Sequence, residues 1–206
     1  MEYIGEQYIP AEYENLQLIG SGSSSSVYQA HSKKHNLQVV IKVLDKKTNK
    51  ESNILSEVSI LNKLHSKGIV NYIGFKEDDK NFYIIMEYLR DYILLSTYIA
   101  TTNITGSMFV KIAENLKIGM IMYHHHGVAH RDIKPENIMI NPNTLNIKYI
   151  DFGFACCFDI CYAPYIVGTP LYHAPELSLS DKLVPHNLKQ WFLADYWSLG
   201  ATILEI

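Results

Sequence analysis

The residues best suited to chemistry lie in one loop, His130-Arg131-Asp132-Ile133-Lys134-Pro135-Glu136-Asn137, and in the tripeptide Asp151-Phe152-Gly153. The loop is dense in polar groups, yet the apolar run 127–129 leads into it and Ile138-Met139-Ile140 leads out. Polar side chains hemmed in by apolar strands are costly unless they are partnered, so such a loop is held for a purpose. Phosphoryl transfer asks mainly for positioning and charge neutralisation. It needs a carboxylate near the incoming hydroxyl, a cation near the transferred phosphate, and oxygen ligands for magnesium. The loop offers carboxylates in Asp132 and Glu136, cations in Arg131 and Lys134, and an oxygen ligand in Asn137; Asp151, emerging at the end of an apolar strand-like run, can complete a magnesium site with Asn137. Asp151-Phe152-Gly153 alone means little, but Asn137 stands five residues after Asp132 and fourteen before Asp151, a joint spacing that chance should almost never produce.

A second group lies earlier. Residues 19–30 read IGSGSSSSVYQA, in which Gly20 and Gly22 leave room for backbone amides to approach a polyphosphate. Taken alone, this stretch reads equally well as a Gly/Ser turn in a hairpin. Lys42 closes the apolar run VVIK, where a lone ammonium is costly unless it meets an anion. Glu57 falls on the inner side of an expected helix, able to pair with Lys42 and hold it against the α- and β-phosphates of ATP. Each of the two, by itself, reads as a solvated charge.

These groups need a scaffold. Short β-branched and aromatic runs at 13–19, 27–31, 37–43, 69–75 and 82–88 read as strands. Ile54, Val58, Leu61 and Leu64 recur at helical spacing over 51–65, and Phe109, Ile112, Leu116 and Ile121 do so over 107–125. The early part is therefore strand-rich and the later part helical. With 206 residues, 48% of them hydrophobic, the chain can bury one or two cores. A formal net charge of −3 supplies no basic field for nucleic acid or an anionic membrane, and no apolar run approaches a membrane span. With no basic-then-apolar leader either, an intracellular, cytoplasmic, non-secreted setting is expected. Cys156, Cys157 and Cys161 crowd into one short stretch and are expected to be unlinked packing thiols. The run His124–His126 invites a metal reading, but successive helix positions diverge by about 100° and do not share one ion.

In their order, the glycine-rich turn, VVIK, Glu57, HRDIKPEN, DFG and GTPLYHAPE resemble the eukaryotic-type serine/threonine protein kinase family. The resemblance implies an α+β, bilobal kinase-like fold over 13–206. It has a small β-rich N-lobe (about 13–86), a hinge (87–90) and a mainly helical, incomplete C-lobe (91–206), preceded by an N-terminal extension (1–12). It implies ATP and Mg2+ as cofactors and Ser/Thr hydroxyls of proteins as acceptors, with Lys134 marking that acceptor class. Asp132 would be the catalytic base, Lys134 would neutralise the γ-phosphate, and Asn137 and Asp151 would hold the metal. ATP would meet Ile19, Gly20, Ser21, Gly22, Ser23, Ser24, Ser25, Ser26 and Val27 in the turn. Val40, Lys42, Glu57, Met86, Glu87, Leu89 and Met139 would complete its site.

The same resemblance implies a buried stack of Leu61, Tyr72, Phe152 and His130. It makes Asp195 a hydrogen-bond acceptor for the backbone of the HRD turn, and it makes Thr169 part of a substrate-docking platform. Glu136 reads either as a magnet for basic substrate residues or as a solvated surface charge. Arg131 ordinarily meets a phosphorylated residue, but 154–168 contains no Ser or Thr, so activity independent of Ser/Thr phosphorylation there is expected. The sequence departs from the family at Ser25, which replaces a glycine, at Val40, which replaces an alanine, and at Glu176, whose usual arginine partner is missing. Further helices are implied beyond Ile206, so the apolar terminal helix is expected to be covered by a partner or by self-association. Two other readings stay open: a catalytically impaired kinase-like binding or scaffold protein, and a small-molecule kinase of related fold.

Overall fold

Alternation builds the first core. In β3 (Leu37–Asp45), Val39, Ile41 and Val43 are buried and share one face, because side chains two apart along a strand point the same way. They pack with Tyr13, Ala30, Tyr83 and Ile85 from β1 (Tyr13–Ser21), β2 (Ser25–Ser32) and β5 (Asn81–Glu87). With β4 (Tyr72–Glu77) these strands form a five-stranded sheet in the order β1-β2-β3-β5-β4, every neighbouring pair antiparallel. The β4–β5 turn is closed by Asp78, whose Oδ1 accepts the N–H groups of Lys80 (2.8 Å) and Asn81 (2.7 Å). The computed structural model describes residues 10–22, 25–157, 166–178 and 187–206. The described residues form two compact units. The sheet, with the described residues up to Lys50 and with Tyr72–Tyr88, is the first; Glu51–Asn71 with Leu89–Ile206 is the second. Residues 10–12, read from sequence as part of an extension, are tied to the first unit: Lys33 N donates to Glu12 O at 3.0 Å, and Lys76 pairs with Glu12 at 2.6 Å.

The second unit opens with α1 (Glu51–Lys63), which buries Ile54, Glu57, Ile60 and Leu61 and carries Glu51 and Lys63 at the ends that suit its dipole. Next come β6 (Ile93–Leu94), α2 (Leu95–Thr101) and α3 (Gly106–His125). Then follow β7 (Val128–Ala129), β8 (Ile138–Ile140), β9 (Ile147–Tyr149) and β10 (Cys156–Cys157), and finally α4 (Pro175–Ser178) and α5 (Leu188–Leu204). The strands pair as β6-β8-β9 and as β7-β10. Thr105 caps α3 by accepting from Met108 N, and Asn187 caps α5 by accepting from Gln190 N at 3.1 Å.

Several expectations are corrected. The strand expected over 69–75 starts only at Tyr72; Ile69 instead bridges in parallel to Tyr149, whose carbonyl accepts from Val70 N at 3.0 Å. In α3 the buried stripe runs through Ile112, Leu116, Gly119, Met120 and Tyr123, while Phe109 and Ile121 are 37% and 44% exposed. The apolar residues of this helix cover more than one stripe, and packing selects only one. The short α2, which buries Leu95 and Tyr98, was not foreseen. Cys156 is disulfide-bonded and Cys157 is a free, buried thiol, so the expectation of three unlinked thiols fails at the first.

Candidate active site

The loop 130–137 leaves β7 and enters β8, and it is held at its start by one buried carboxylate. Asp195 of α5, 1% exposed, accepts from His130 N at 2.8 Å on Oδ2 and from Arg131 N at 2.9 Å on Oδ1. Charge-assisted bonds of this kind offset the backbone cost at Arg131, whose φ of 67° is in the left-handed region. This is the role expected of Asp195. His124 Nε2 reaches the same carboxylate at 2.9 Å, and its ring stacks on Phe192 at 4.1 Å between centroids. Of the three successive histidines, His124 is thus a buried strut, while His125 and His126 are exposed. The His130 ring packs against Phe152 at 4.8 Å. Asp132 N donates to its Nδ1 at 3.3 Å, and its Nε2 lies 3.2 Å from Ile150 O, a pattern satisfied by the tautomer protonated on Nε2. His130 is therefore a packing and positioning group. Leu61 and Phe152 are fully buried in the same unit, whereas Tyr72 lies on β4 of the other.

Asp132 is 7% exposed, and both of its carboxylate oxygens are held. Oδ2 accepts from Asn137 Nδ2 at 2.8 Å and pairs with Lys134 Nζ at 3.0 Å. Oδ1 accepts from Thr169 Oγ1 at 2.7 Å, and that hydroxyl in turn accepts from Lys134 Nζ at 2.6 Å. A carboxylate fixed on both edges beside an ammonium can orient a hydroxyl and take its proton without first reorganising. Thr169, which the resemblance put on a substrate-docking platform, is the member whose bond to Asp132 was not foreseen. Its signal was the Gly168-Thr169 pair, since Gly168 has φ of 102° and a Cβ there would stand 2.3 Å from Arg131 O. Only glycine permits this approach, and the approach delivers Thr169 to Asp132.

The metal ligands expected from sequence are brought to one strand pair. β8 and β9 run antiparallel with Ile138 opposite Tyr149, and Ile150 N donates to Asn137 O at 2.9 Å, which joins the end of the loop to the residue before Asp151. Asp151 is exposed with φ of 57°, a strained conformation of the kind found where a side chain must be aimed. Asn137 Nδ2 is taken up by Asp132 O (2.9 Å) and Oδ2, so the amide oxygen remains as its donor to a cation. One carboxylate and one amide oxygen suit magnesium, which completes its shell with phosphate and water oxygens. Among the described residues no group of three or more His, Cys, Asp or Glu is placed to hold a metal ion.

Several residues of the first unit expected to meet ATP share one face of the sheet. Val27 faces Lys42 across the β2–β3 ladder, Lys42 faces Ile84, and Val40 faces Met86 across β3–β5. Directly opposite residues share a sheet face, so Val27, Val40, Lys42 and Met86 lie together, opposite the face that packs on Tyr13 and Tyr83. Gly22 N donates to Ser25 O at 2.8 Å to close the turn, and Gly20 pairs with Val27. Neither glycine has a positive φ, and a Cβ at either would meet only ordinary contacts at 3.8–3.9 Å. The fold itself does not demand glycine here, so the open backbone is available for a ligand. Ile19, Ser21, Ser25 and Ser26 flank the turn, while Ser23 and Ser24 lie outside the described residues. Glu87 ends β5; in the second unit Glu57 is buried on α1, Leu89 is buried, and Met139 stands between the buried Ile138 and Ile140.

Arg131 makes contacts of its own. Its Nε donates to Phe154 O, and its guanidinium lies 5.0 Å from the centre of the Trp191 ring. The stretch after Gly168 is tied to α5, because Ser198 Oγ donates to Tyr172 O at 2.7 Å.

Comparison with known proteins agrees with this arrangement. Residues 13–206 match the family described as Protein kinase domain. The chain is 31% identical over 206 residues to the serine/threonine-protein kinase ULK1 of Homo sapiens, covering 94% of this chain and 19% of that protein. It is 34% identical over 197 residues to the serine/threonine-protein kinase pakG of Dictyostelium discoideum (92% and 16%). It is 32% identical over 197 residues to shk1/pak1 of Schizosaccharomyces pombe (94% and 29%). The chain thus spans less than a third of the length of these relatives. A match that runs from Tyr13 through the Asp132 cluster to the end of α5 places this chain in the eukaryotic-type protein kinase family.

Proposed function

We propose that this chain transfers the γ-phosphate of ATP to serine or threonine hydroxyls of protein substrates. The observation that carries this reading is the Asp132 carboxylate, held by Asn137, Lys134 and Thr169 with its two oxygens in fixed directions. Asp132 orients the acceptor hydroxyl and receives its proton as the oxygen attacks phosphorus. Lys134 sets a positive charge where the transferred group gathers negative charge. Asn137 and Asp151 offer the oxygens for magnesium, which when bound with the nucleotide neutralises phosphate charge. Gly20 and Gly22 leave backbone amides open to phosphate oxygens, and Lys42 supplies a cation from the same sheet. Leu193, Tyr196, Trp197 and Leu204 are exposed on α5, and this apolar face supports the further proposal that a partner or a second copy covers it.

The test is incorporation of label from γ-labelled MgATP into a generic basic protein by the wild-type chain, Asp132→Asn and Asp151→Ala. Incorporation by the wild type alone is expected. Equal signal from all three would sink the enzymatic reading and leave the scaffold.

A further inference from the structure

A cavity of about 530 Å³ lies within the second unit, and none of its lining residues belongs to the phosphotransfer cluster. One wall is the loop after α1, one is α3, and one is the start of β9. The walls are set by contacts already in place. Gly68 and Gly119 approach so closely that a Cβ on Gly68 would lie 3.0 Å from Gly119 Cα. Lys148 is buried with Nζ donating to Ile69 O at 3.0 Å, and Asn115 Nδ2 donates to Leu145 O at 2.8 Å. The cavity exists before any ligand arrives.

Its chemistry is one-sided. Lys67, Lys148 and His65 line it and no carboxylate does, in a chain whose net charge is −3. Asn71, Asn115 and Asn146 add amides, and Ile118 and Ile147 add an aliphatic surface, with Ile118 itself exposed. The volume is that of a ligand site. However, His65, Lys67, Asn71, Ile118 and Asn146 are all exposed, so the mouth is open along its length. A small molecule is normally buried over most of its surface, whereas a chain segment enters and leaves through an open mouth.

We propose that this cavity docks an acidic segment of a partner polypeptide that also carries an aliphatic side chain. Carboxylates of the segment meet Lys67 and His65 at the mouth, its aliphatic side chain covers the exposed Ile118 beside Ile147, and the Asn146 amide meets its backbone. The docking stands apart from phosphoryl transfer and does not depend on it.

The probe is a pool of fluorescein-labelled short peptides built only from Glu, Leu, Gly and Ser, compared with a pool carrying Lys in place of Glu. Fluorescence anisotropy with the 206-residue chain should show saturable binding of the acidic pool alone. Lys67→Glu, an exposed change, should weaken it about tenfold, the effect of removing and then reversing one surface ion pair. Methyl resonances of Ile118 and Ile147 should shift on binding, and phosphorylation of the basic protein by Lys67→Glu should stay at the wild-type level. Equal binding of the basic pool, no saturable binding, or unchanged affinity in Lys67→Glu would overturn the proposal. Displacement of the peptides by inorganic phosphate alone would overturn it too, by making the cavity a small-anion site.

Discussion

Gly168→Ala tests how the acceptor side of the site is assembled. Gly168 has φ of 102°, and a Cβ there would stand 2.3 Å from the Arg131 carbonyl oxygen, with His173 Nε2 at 3.3 Å. Relief to a tolerable contact needs a backbone displacement of at least about 0.7 Å. The two chain segments forced apart carry Asp132 and Thr169 one residue further on, and these are joined by a hydrogen bond of 2.7 Å. The displacement therefore stretches that bond and turns the Asp132 carboxylate, to which we assign the orientation of the acceptor. Misplacement on this scale costs about 10- to 100-fold in kcat. The backbone conformation itself costs about 1–3 kcal/mol in any residue but glycine, and a loss of about 2 kcal/mol lowers the Tm of a chain this size by roughly 4–8 °C. The assay is steady-state phosphorylation of a basic protein with a thermal melt in parallel. The control is Gly200→Ala on α5, where a Cβ meets nothing within 4 Å; it should raise stability by about 0.5–1 kcal/mol through helix propensity. If Gly168→Ala keeps the wild-type kcat and Tm, the close approach is not what assembles the site. If Gly200→Ala loses as much as Gly168→Ala, the loss reflects general fragility and not the local clash.

Asp195→Asn sets an amide N–H₂ against the N–H of His130 or Arg131 and weakens the His124 contact, all in a site that is 1% exposed. Stability should fall by about 2–4 kcal/mol in urea unfolding; a change within error would mean the carboxylate does not brace the loop. Tyr123→Phe should leave stability unchanged or raise it by up to about 1 kcal/mol, because the Tyr123 hydroxyl is buried without a partner among the described residues. The same residue bears on pH. Burial, and next the Asp195 charge, holds the hydroxyls of Tyr123 and Tyr149 above the ordinary tyrosine range. The unfolded chain therefore releases these protons first as pH rises through about 10, so this contribution is complete below that pH and is lost above it. Urea midpoints on either side of that pH should show a smaller alkaline drop in Tyr123→Phe than in the wild type, and equal drops would assign the effect elsewhere.

Much of the site was legible because its chemistry is local in sequence. Asp132, Lys134 and Asn137 lie within one loop, and their types and spacing already state a carboxylate, a cation and an oxygen ligand. Lys42 stood out as a charge closing an apolar run and Val40 through the family resemblance, and the ladder puts both on one face of β3. What was misjudged was settled by packing between distant segments. Nothing near Ile69 separates a strand start from a bridge to Tyr149, and nothing in α3 marks Phe109 as outside the buried stripe. Which of three adjacent histidines turns inward depends on Asp195 and Phe192 on α5, about seventy residues away.

By itself, then, the sequence determined the reagents and the family: residue types in a fixed order within short reach, which need no fold to be named. Only the tertiary structure decided how those reagents are held. Thr169 meets Asp132 across thirty-seven residues because Gly168 lets two backbones nearly touch, and Asp195 grips the loop from a helix sixty-five residues away from His130. Such contacts depend on where separate elements come to rest, and that is set by burial and steric fit over the whole chain, which a local spacing does not record.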